Sequence, residues 1–378
     1  MKFLSLFFCS FALTVATPLH AQMRGAWCAS VHNLNFPSSP GLSAAQQRAE
    51  IITMLDTAQK CGLNAILFQV RPESDALYSS RIEPWSRYLT GKQGTSPGYD
   101  PLAFCIAQGR KRGIAVHAWL NPYRAVASAG KEVAANHISR RYPQYAYRVG
   151  STIIMDPGAP EIQAHILAVV RDILSRYDVA GIHFDDYFYP YPNNGKVPHF
   201  PDDKTFAAYR AAGGKHADKG AWRRASVTSL IARTYQLVHA IKPEAKFGVS
   251  PFGIYASGVP AGIKAGVDQR NHLFCDSLTW LKMGIVDYLA PQLYWKDGGE
   301  QSFSTLLRWW RSSRANPRAI PIVPGIAIER LNSQRWPVTE ISKQIQIERS
   351  TSRAAGFLLW DMRTLRRNTK GVQSVFTR

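Results

Sequence analysis

The sequence predicts an α/β protein, a (β/α)8 barrel with long loops after the third and fourth strands. Short runs rich in β-branched and aromatic residues recur along the chain, with amphipathic helical patterns between them. This alternation is typical of a parallel sheet, and eight such units in about 350 residues indicate a closed barrel. An open doubly wound sheet is the alternative. It would carry a glycine-rich phosphate-binding turn after an early strand, and the sequence has none.

The predicted strands and helices alternate in chain order. Ser43 can cap a helix that runs to Lys60 and stops near Gly62. Asp100 and Pro101 open the next helix, with proline at the first helical position. The predicted strands are residues 25–31, 64–71, 114–121, 179–187, 246–253, 286–294, 320–328 and 356–361. The remaining predicted helices are residues 160–177, 224–241, 271–283, 303–314 and 338–355.

Two connections are long: residues 122–159 after the third strand and residues 188–223 after the fourth. Both begin at the carboxyl ends of strands, the face that carries the active site in this kind of barrel. We expect these loops to form walls of a binding site. No second domain and no internal repeat are evident, so residues 22–378 are predicted to form one domain.

Residues 1–21 have the pattern of a secretory signal peptide. Lys2 precedes an apolar run from Phe3 to Val15, and the segment ends in a small residue before a cut after Ala21. A buried N-terminal strand or helix is the alternative. We therefore expect an exported protein that is periplasmic or associated with the cell wall.

Composition excludes several classes of protein. Of 378 residues, 46% are apolar and 19% charged, which suits a large core and not a disordered chain. Beyond the first twenty or so residues no apolar run reaches the roughly 18 residues of a membrane span, so stable membrane insertion is not expected. Lysine and arginine outnumber aspartate and glutamate by 46 to 26. The net charge of +20 indicates an anionic partner or simple solubility.

The four cysteines of the predicted mature chain are Cys28, Cys61, Cys105 and Cys275. Their wide spacing does not match a metal-ligand pattern, although export would permit a disulfide. Most of them lie in apolar periodic segments, so we expect buried free thiols. We predict neither a metal nor another cofactor.

Polar side chains recur at alternate positions near the carboxyl ends of five predicted strands. A strand that lines a barrel points every second side chain inward, and apolar residues fill the lower layers. Polar residues of matching parity at the strand ends therefore indicate a site. They are Gln69, Arg71 and Glu73 on the second strand, His117, Trp119 and Asn121 on the third, His183, Asp185 and Tyr187 on the fourth, Gln292 and Tyr294 on the sixth, and Asp361 on the eighth. Asp186 has the other parity.

Four carboxyl groups are placed for acid–base chemistry: Glu73, Asp185, Asp186 and Asp361. Cleavage of a glycosidic bond needs two, one to protonate the leaving oxygen and one to attack or to activate water. We predict that Asp185 is the carboxylate at the reaction centre, Glu73 the general acid and Asp186 an orienting residue. The sequence fits an exchange of Asp185 and Asp186 equally well. The structural alternatives are strand-end capping or ion pairs for the aspartates and a surface-loop position for Glu73.

Aromatic residues lie at or beyond the same strand ends. Sugar rings stack their C–H faces on aromatic side chains, while their hydroxyls need polar partners, so a rim with both suits a polysaccharide. Ordinary packing is the alternative for many of these residues. They are Trp85, Trp119, Trp222, Trp295, Trp360, Tyr123, Tyr187, Tyr189, Tyr191 and Tyr294.

A set of motifs resembles the glycosyl hydrolase-like family ten from Arg24 to about Asp361. The motifs are RGAW (24–27), FQVRP (68–72), HAWLNPYR (117–124), MDPG (155–158), GIHFDDYFY (181–189), WRR (222–224), GVSP (248–251) and APQLYW (290–295). The resemblance implies a (β/α)8 barrel, secretion and hydrolysis of peptidoglycan glycan strands, preferentially those stripped of stem peptides. It places Asp185 and Asp186 in the central motif of the family, and Glu73 and Asp361 at or near acidic positions.

A peptidoglycan substrate would give the arginines a role. Strands stripped of peptides keep a lactyl carboxylate on each muramic acid, which suits the planar guanidinium group. The candidate arginines are Arg24, Arg71, Arg124, Arg223 and Arg224. The other predicted substrate-binding residues are Gln69, Trp119, Asn121, His183, Tyr187, Trp222, Gln292, Tyr294 and Trp295. We expect peptidoglycan or a related polysaccharide as the partner, with cell-division proteins as further candidates.

Other functions stay open at this point. A metal-dependent polysaccharide deacetylase would add two histidines about a helical turn apart to the aspartate pair, and no His-x-x-x-His occurs. A chitinase-type barrel has a similar fourth strand that ends in a catalytic glutamate, where this chain has Tyr187. A non-catalytic glycan-binding barrel would use the carboxylates only to hold sugar hydroxyls. The positive charge fits nucleic acid, but export and the lack of a binding motif oppose that partner.

Overall fold

A computed structural model describes residues 22–377, and the predicted signal peptide lies outside the described residues. The strands are β1 Met23–Cys28, β2 Ala65–Arg71, β3 Ala115–Leu120, β4 Arg124–Val126, β5 Ala146–Val149, β6 Thr152–Met155, β7 Gly181–Phe184, β8 Lys246–Val249, β9 Tyr288–Leu289, β10 Gly325–Ala327 and β11 Gly356–Trp360. Eight of them form one sheet in the order β10-β11-β1-β2-β3-β7-β8-β9. All neighbouring strands in this sheet are parallel.

The outer strands of this sheet, β9 and β10, lie next to each other. Single parallel bridges join Leu289 to Ile322 and Gln292 to Gly325 and so close the sheet. The predicted (β/α)8 barrel is confirmed, and each predicted strand overlaps one strand of the barrel. The last two strands to meet are short because Pro291 and Pro324 beside them lack the N–H that a longer ladder requires.

The helices are α1 Ala44–Lys60, α2 Arg87–Thr90, α3 Pro101–Arg110, α4 Ile138–Arg141, α5 Pro160–Arg176, α6 Asp203–Ala211, α7 Lys219–Ile241, α8 Ser277–Met283, α9 Phe303–Arg311, α10 Arg330–Ser333, α11 Val338–Ser350 and α12 Met362–Arg366. Ser43 and Asp100 cap α1 and α3, as predicted. Asp218 and Asp276 cap α7 and α8. These caps make α7 begin earlier, and α8 later, than the apolar pattern predicts.

The two long connections carry structure that the apolar pattern did not reveal. The connection after β3 contains β4, β5 and β6, which form a three-stranded antiparallel sheet in the order β4-β6-β5. The connection after β7 contains α6. Both begin at the carboxyl ends of barrel strands, so they stand on the face where polar side chains were predicted to meet.

The barrel interior and the space between strands and helices are filled by apolar side chains. A small cluster inside the barrel consists of Trp27, Ala29, Leu67, Trp119, Tyr288, Ala290, Val323 and Leu358. Cys28, Cys61, Cys105 and Cys275 are buried and unpaired, as expected. Burial raises the pKa of each of these thiols, which keeps them protonated. Within residues 22–377 no helix is both long and apolar enough to cross a membrane.

Candidate active site

Asp185 and Asp186 directly follow β7 and line a cavity of about 240 Å³, the central cavity. Its lining residues are Trp27, Trp119, Asp185, Asp186, Tyr187, Ser250, Gln292, Tyr294, Glu329, Arg330 and Trp360. They come from the carboxyl-terminal parts of barrel strands and from the loops that follow them. The cavity therefore lies on the face predicted for the site.

Two donors hold the carboxylate of Asp185. Trp119 Nε1 donates to Oδ2 at 3.0 Å, and Asn121 Nδ2 donates to Oδ1 at 3.0 Å. Asn121 Oδ1 in turn accepts the backbone N–H of Arg124 at 2.8 Å, which fixes the amide. Burial raises the pKa of Asp185 to about 6, against the opposing effect of the Arg124 charge and of these hydrogen bonds. Asp185 is therefore mostly ionised at neutral pH.

Asp186 is held less completely than its neighbour. The Tyr191 hydroxyl donates to Oδ2, whereas Oδ1 is buried with no hydrogen-bond partner among residues 22–377. Burial raises the pKa of Asp186 to about 7, and the adjacent charge of Asp185 adds to the rise. Asp186 therefore keeps its proton to a higher pH than Asp185 does. The pair thus combines a carboxylate with a proton donor.

Both aspartates reach the central cavity although consecutive side chains of a strand point to opposite faces. β7 ends at Phe184, so the alternation stops before Asp185. A turn follows, in which the Phe188 N–H donates to the Asp186 carbonyl at 2.8 Å. Alternation along the strand predicts that Asp185 and Asp186 point to opposite faces, but the turn brings both side chains into the central cavity.

Glu329 is a third carboxyl group in the central cavity, and it was not among the predicted site residues. It directly follows the predicted strand 320–328, so the strand-end rule that selected Asp185 would have found it. Glu329 pairs with Arg330 at 2.9 Å and accepts from the Ser333 hydroxyl at 2.6 Å. Its side chain is 24% exposed, so its carboxylate meets both a cation and solvent.

Glu73, the predicted general acid, is not among the residues that line the central cavity. Its Oε2 pairs with Arg87 Nε at 2.9 Å, and its Oε1 accepts the Ala127 N–H at 2.5 Å. These contacts anchor the loop after β2 to the end of β4. The carboxyl group beside Asp185 is instead that of Asp186.

Asp361 also lies away from the central cavity, and it caps α12. Its Oδ1 accepts from the backbone N–H and the hydroxyl of Thr364 at 3.0 and 2.9 Å, and its Oδ2 accepts from Asn35 Nδ2 at 3.0 Å. The bond that joins it to Trp360 is a cis peptide. Trp360 of the same strand lines the central cavity, whereas Asp361 is not among the lining residues.

Two further cavities adjoin the central one. One has a volume of about 550 Å³, includes Arg124 and Tyr187, and is named the Arg124 cavity. The other has a volume of about 340 Å³, includes Trp295, and is named the Trp295 cavity. Tyr187 lines both the central and the Arg124 cavity, while Gln292 and Tyr294 line both the central and the Trp295 cavity. The predicted binding residues Trp119, Arg124, Tyr187, Gln292, Tyr294 and Trp295 therefore lie together, and Asn121 supports them through Asp185.

Other predicted binding residues lie outside these three cavities: Arg24, Gln69, Arg71, Trp222, Arg223 and Arg224. Arg71 is buried in an ion pair with Glu83 at 2.6 Å, and Arg223 pairs with Asp202 at 2.6 Å. Arg24 donates to the Gly62 carbonyl at 3.0 Å, at the opposite end of the barrel. Gln69 accepts the Ser30 N–H at 2.9 Å, and Trp222 is 2% exposed against Phe206. These side chains already have partners within the protein.

His183 lies inside the barrel, below the aspartates. Its Nδ1 is 3.0 Å from the Tyr288 hydroxyl, and its Nε2 accepts from Trp27 Nε1 at 3.2 Å. Burial holds the pKa of His183 well below its usual value, so the ring is neutral. Among residues 22–377, no group of three or more histidine, cysteine, aspartate or glutamate side chains is arranged to hold a metal ion.

Solved structures of glycoside hydrolases share this fold. The glycoside hydrolase domain of PgaB (BpsB) from Bordetella bronchiseptica superimposes with a TM-score of 0.59 at 12% identity, over 94% of this chain and 99% of that one. The catalytic domain of β-amylase from Paenibacillus polymyxa gives 0.57 at 12% identity, over 94% and 96%. At such low identity these similarities establish the fold alone.

Sequence comparison identifies closer relatives. The glycosyl hydrolase YngK of Bacillus subtilis is 36% identical over 98% of this chain and 74% of its own. The glycosyl hydrolase DigH of Escherichia coli K12 is 34% identical over 89% and 82%. The family model described as glycosyl hydrolase-like 10 matches residues 22–339. The chain therefore belongs to the glycosyl hydrolase-like 10 family and is a glycoside hydrolase.

Proposed function

We propose that this glycoside hydrolase is exported and cleaves glycosidic bonds in peptidoglycan glycan strands, preferentially those stripped of stem peptides. The Asp185–Asp186 pair is the observation from which we choose the reaction centre. Both carboxyl groups are buried, both line the central cavity, and their pKa values of about 6 and about 7 favour different protonation states. Paired carboxyls with separated pKa values suit acid–base roles in glycosidic cleavage.

Asp186 is the proton donor in this proposal. A general acid works best when its pKa lies near the working pH, and a pKa of about 7 meets that condition. Its Oδ1 has no partner among the described residues, so this oxygen is available to the glycosidic oxygen of a bound substrate. Protonation of that oxygen assists the departure of the leaving sugar.

Asp185 is the carboxylate at the reaction centre. Trp119 and Asn121 hold it in place and favour its ionised form. A fixed negative charge in this cavity stabilises the positive charge that develops at the anomeric carbon. Aromatic residues such as Trp27 and Trp360 provide flat apolar surfaces beside it, against which a sugar ring can stack.

Peptidoglycan as the substrate is supported by three features of the sequence. The pattern of residues 1–21 indicates export, the net charge of +20 suits an anionic wall, and the motifs resemble a family associated with cell-wall glycan. We further propose a periplasmic or wall-associated location. Cell-division proteins are candidate partners in the same proposal.

The test is incubation of residues 22–378 with peptidoglycan glycan strands, with and without stem peptides. Mass spectrometry would identify the soluble products, and the new reducing end names the bond cut. Shortened sugars from stripped strands are expected, with none from the Asp185→Asn variant. Failure to release sugars from either substrate, together with strand binding, would overturn the proposal in favour of a glycan-binding role.

A further inference from the structure

The Arg124 cavity and the Trp295 cavity each share lining residues with the central cavity, which contains the aspartate pair. Tyr187 joins the Arg124 cavity to the central cavity, and Gln292 and Tyr294 join the central cavity to the Trp295 cavity. The volumes of the Arg124 and Trp295 cavities, about 550 and 340 Å³, lie in the range of small-molecule sites, and the central cavity between them is smaller, at about 240 Å³. Connected cavities of this kind give a chain of sugars binding space on both sides of the bond that is cut.

The Arg124 cavity differs from the other two in its cations. Arg124 and Lys196 both line it, and among residues 22–377 neither has a carboxylate within ion-pair distance. Arg124 is positioned by its Nε, which donates to the Pro72 carbonyl at 2.9 Å. In the Trp295 cavity, Arg330 is already paired with Glu329 at 2.9 Å, whereas Lys296 lies 6.0 Å from the centroid of the Trp336 ring and has no carboxylate within ion-pair distance among the described residues. The Arg124 cavity therefore contains two cations without a carboxylate partner, where the Trp295 cavity contains one.

Aromatic side chains form the walls of the same cavity. Tyr187, Tyr189 and Tyr191 line it, and the Arg124 guanidinium lies 5.3 Å from the centroid of the Tyr187 ring. The Tyr187 side chain is 46% exposed, so its surface is available for stacking against a ligand. The exposed Tyr187 ring together with the unpaired cations matches a ligand that has both an apolar sugar face and an anionic group.

We propose that the Arg124 cavity is a subsite for a sugar unit that carries a carboxylate, bound by Arg124 and Lys196. This inference rests on the proposed function, in which the carboxylate is the lactyl group of muramic acid. The rest of the chain passes through the central cavity into the Trp295 cavity. Sugars are thus bound on both sides of the cleaved bond, and the enzyme cuts within a chain.

The test is a binding measurement in an inactive background, so that it does not depend on turnover. Residues 22–378 with Asp185→Asn would be titrated calorimetrically with peptide-free strands, and with the same strands after their carboxylates are converted to neutral amides. The unamidated strands should bind about tenfold more tightly, as for one charge-assisted hydrogen bond. Adding Lys196→Gln should reduce this preference, with Arg124 supplying the remainder, and leave binding of amidated strands unchanged.

Lys204→Gln is the matched control. Lys204 is an exposed lysine on α6 that lines none of the three cavities, so its loss changes the net charge equally. It should leave the preference for carboxylates intact. Equal effects of Lys196→Gln and Lys204→Gln would overturn the subsite, because the preference would then come from general charge.

Oligogalacturonates carry their carboxylates on uronic acid units and so test the other source of sugar carboxylates. If Lys196→Gln weakens binding of these oligomers and not of peptide-free strands, the carboxylate that the subsite binds is not the lactyl group.

The reaction products show whether the glycan chain binds on both sides of the cleaved bond, and they distinguish a failure of the subsite from a failure of the proposed function. The wild-type protein should release fragments of several lengths from long strands. Exclusive release of single terminal units would overturn binding on both sides of the cleaved bond while leaving the hydrolase intact. Absence of any product, with the carboxylate preference retained in titrations, would instead refute the proposed function and keep the subsite.

Discussion

Two groups of buried carboxyls in this protein have opposite protonation behaviour. Glu83 lies 2.6 Å from Arg71 and 2.9 Å from His165. Burial alone would raise the pKa of Glu83, but the charge of Arg71 and the contacts with His165 lower it to about 2. Asp185 and Asp186 are equally buried and have no such cation pair among the described residues, and burial raises their pKa values to about 6 and 7. A buried carboxyl group that has no neighbouring cation keeps a raised pKa, and this raised pKa suits it to proton transfer near neutral pH.

A raised pKa is not sufficient by itself to mark the site. Burial also raises the pKa of Asp75 to about 7 and that of Asp156 to about 6. Asp75 accepts from Gln93 Nε2 at 3.0 Å, and Asp156 accepts from the Thr205 hydroxyl at 2.5 Å. Neither lines any of the three cavities. The raised pKa and the open cavity together distinguish Asp185 and Asp186.

The largest expected effect comes from removing either member of the pair. Asp186→Asn should lower kcat on peptide-free strands by about 10²–10⁴-fold, the typical contribution of a general acid. Asp185→Asn should be at least as severe, because asparagine cannot supply the negative charge. Initial rates from reducing-end assays would measure both. Thermal unfolding should show both variants folded, and a folded Asp185→Asn protein with full activity would refute the assignment.

The second prediction concerns Glu83 and its buried ion pair with Arg71. Arg71→Met should reduce the free energy of unfolding by about 3–5 kcal/mol, because it leaves Glu83 buried without its main counter-charge. Urea unfolding followed by circular dichroism would measure the change. Arg110→Met is the control, since Arg110 pairs with Asp178 at the surface and its side chain is 70% exposed. This control should cost less than about 1 kcal/mol, and an equal loss for both variants would contradict the comparison.

The third prediction is the pH dependence of kcat/KM. Activity should rise as Asp185 ionises near pH 6 and fall as Asp186 loses its proton near pH 7. Because the two carboxyl groups interact, the rise and the fall describe the titration of the pair, and the pH profile is one narrow bell-shaped curve. The falling limb should vanish from the residual activity of Asp186→Asn. Wild-type activity that keeps rising up to pH 9 would refute Asp186 as the acid.

The smallest effect on activity is expected for Glu73→Gln. Glu73 binds Arg87 and the Ala127 N–H, not the central cavity, so kcat should stay within about threefold of wild type. Glutamine keeps the hydrogen bond to Ala127 and loses the ion pair, which should cost about 1–3 kcal/mol of unfolding free energy. Parallel kinetic and urea measurements would check both values. A folded but inactive Glu73→Gln protein would return Glu73 to the catalytic role that the sequence indicated.

The fold could be predicted because alternating strands and helices leave a strong local signal. The position of Asp185 and Asp186 after the fourth strand of the barrel could be predicted from the same signal. Strand-end position was less informative for Glu73 and Asp361, since it does not reveal which partner a carboxyl group meets. One meets Arg87 and the other caps α12. Those partners are set by loop and helix packing.

The arginines show the same limit. Five were candidates for binding a carboxylate, and in the structure Arg124 is the one that lines any of the three cavities. Arg71 was chosen for its parity on β2, but a buried guanidinium requires a buried carboxylate, and Glu83 supplies it from the loop after that strand. Glu329 and Arg330 directly follow the predicted strand 320–328, so the rule that selects polar residues at strand ends could have found them.

The protonation state of Asp186 is the most direct test of the account. Residues 22–378 would be labelled with ¹³C at the aspartate carboxyls and titrated by NMR from pH 3 to 9, alongside Asp186→Asn. A resonance that titrates near pH 7 in the wild type and is missing from the variant is the predicted result. If the resonance lost in the variant titrates below pH 5, Asp186 is ionised at neutral pH and cannot be the proton donor.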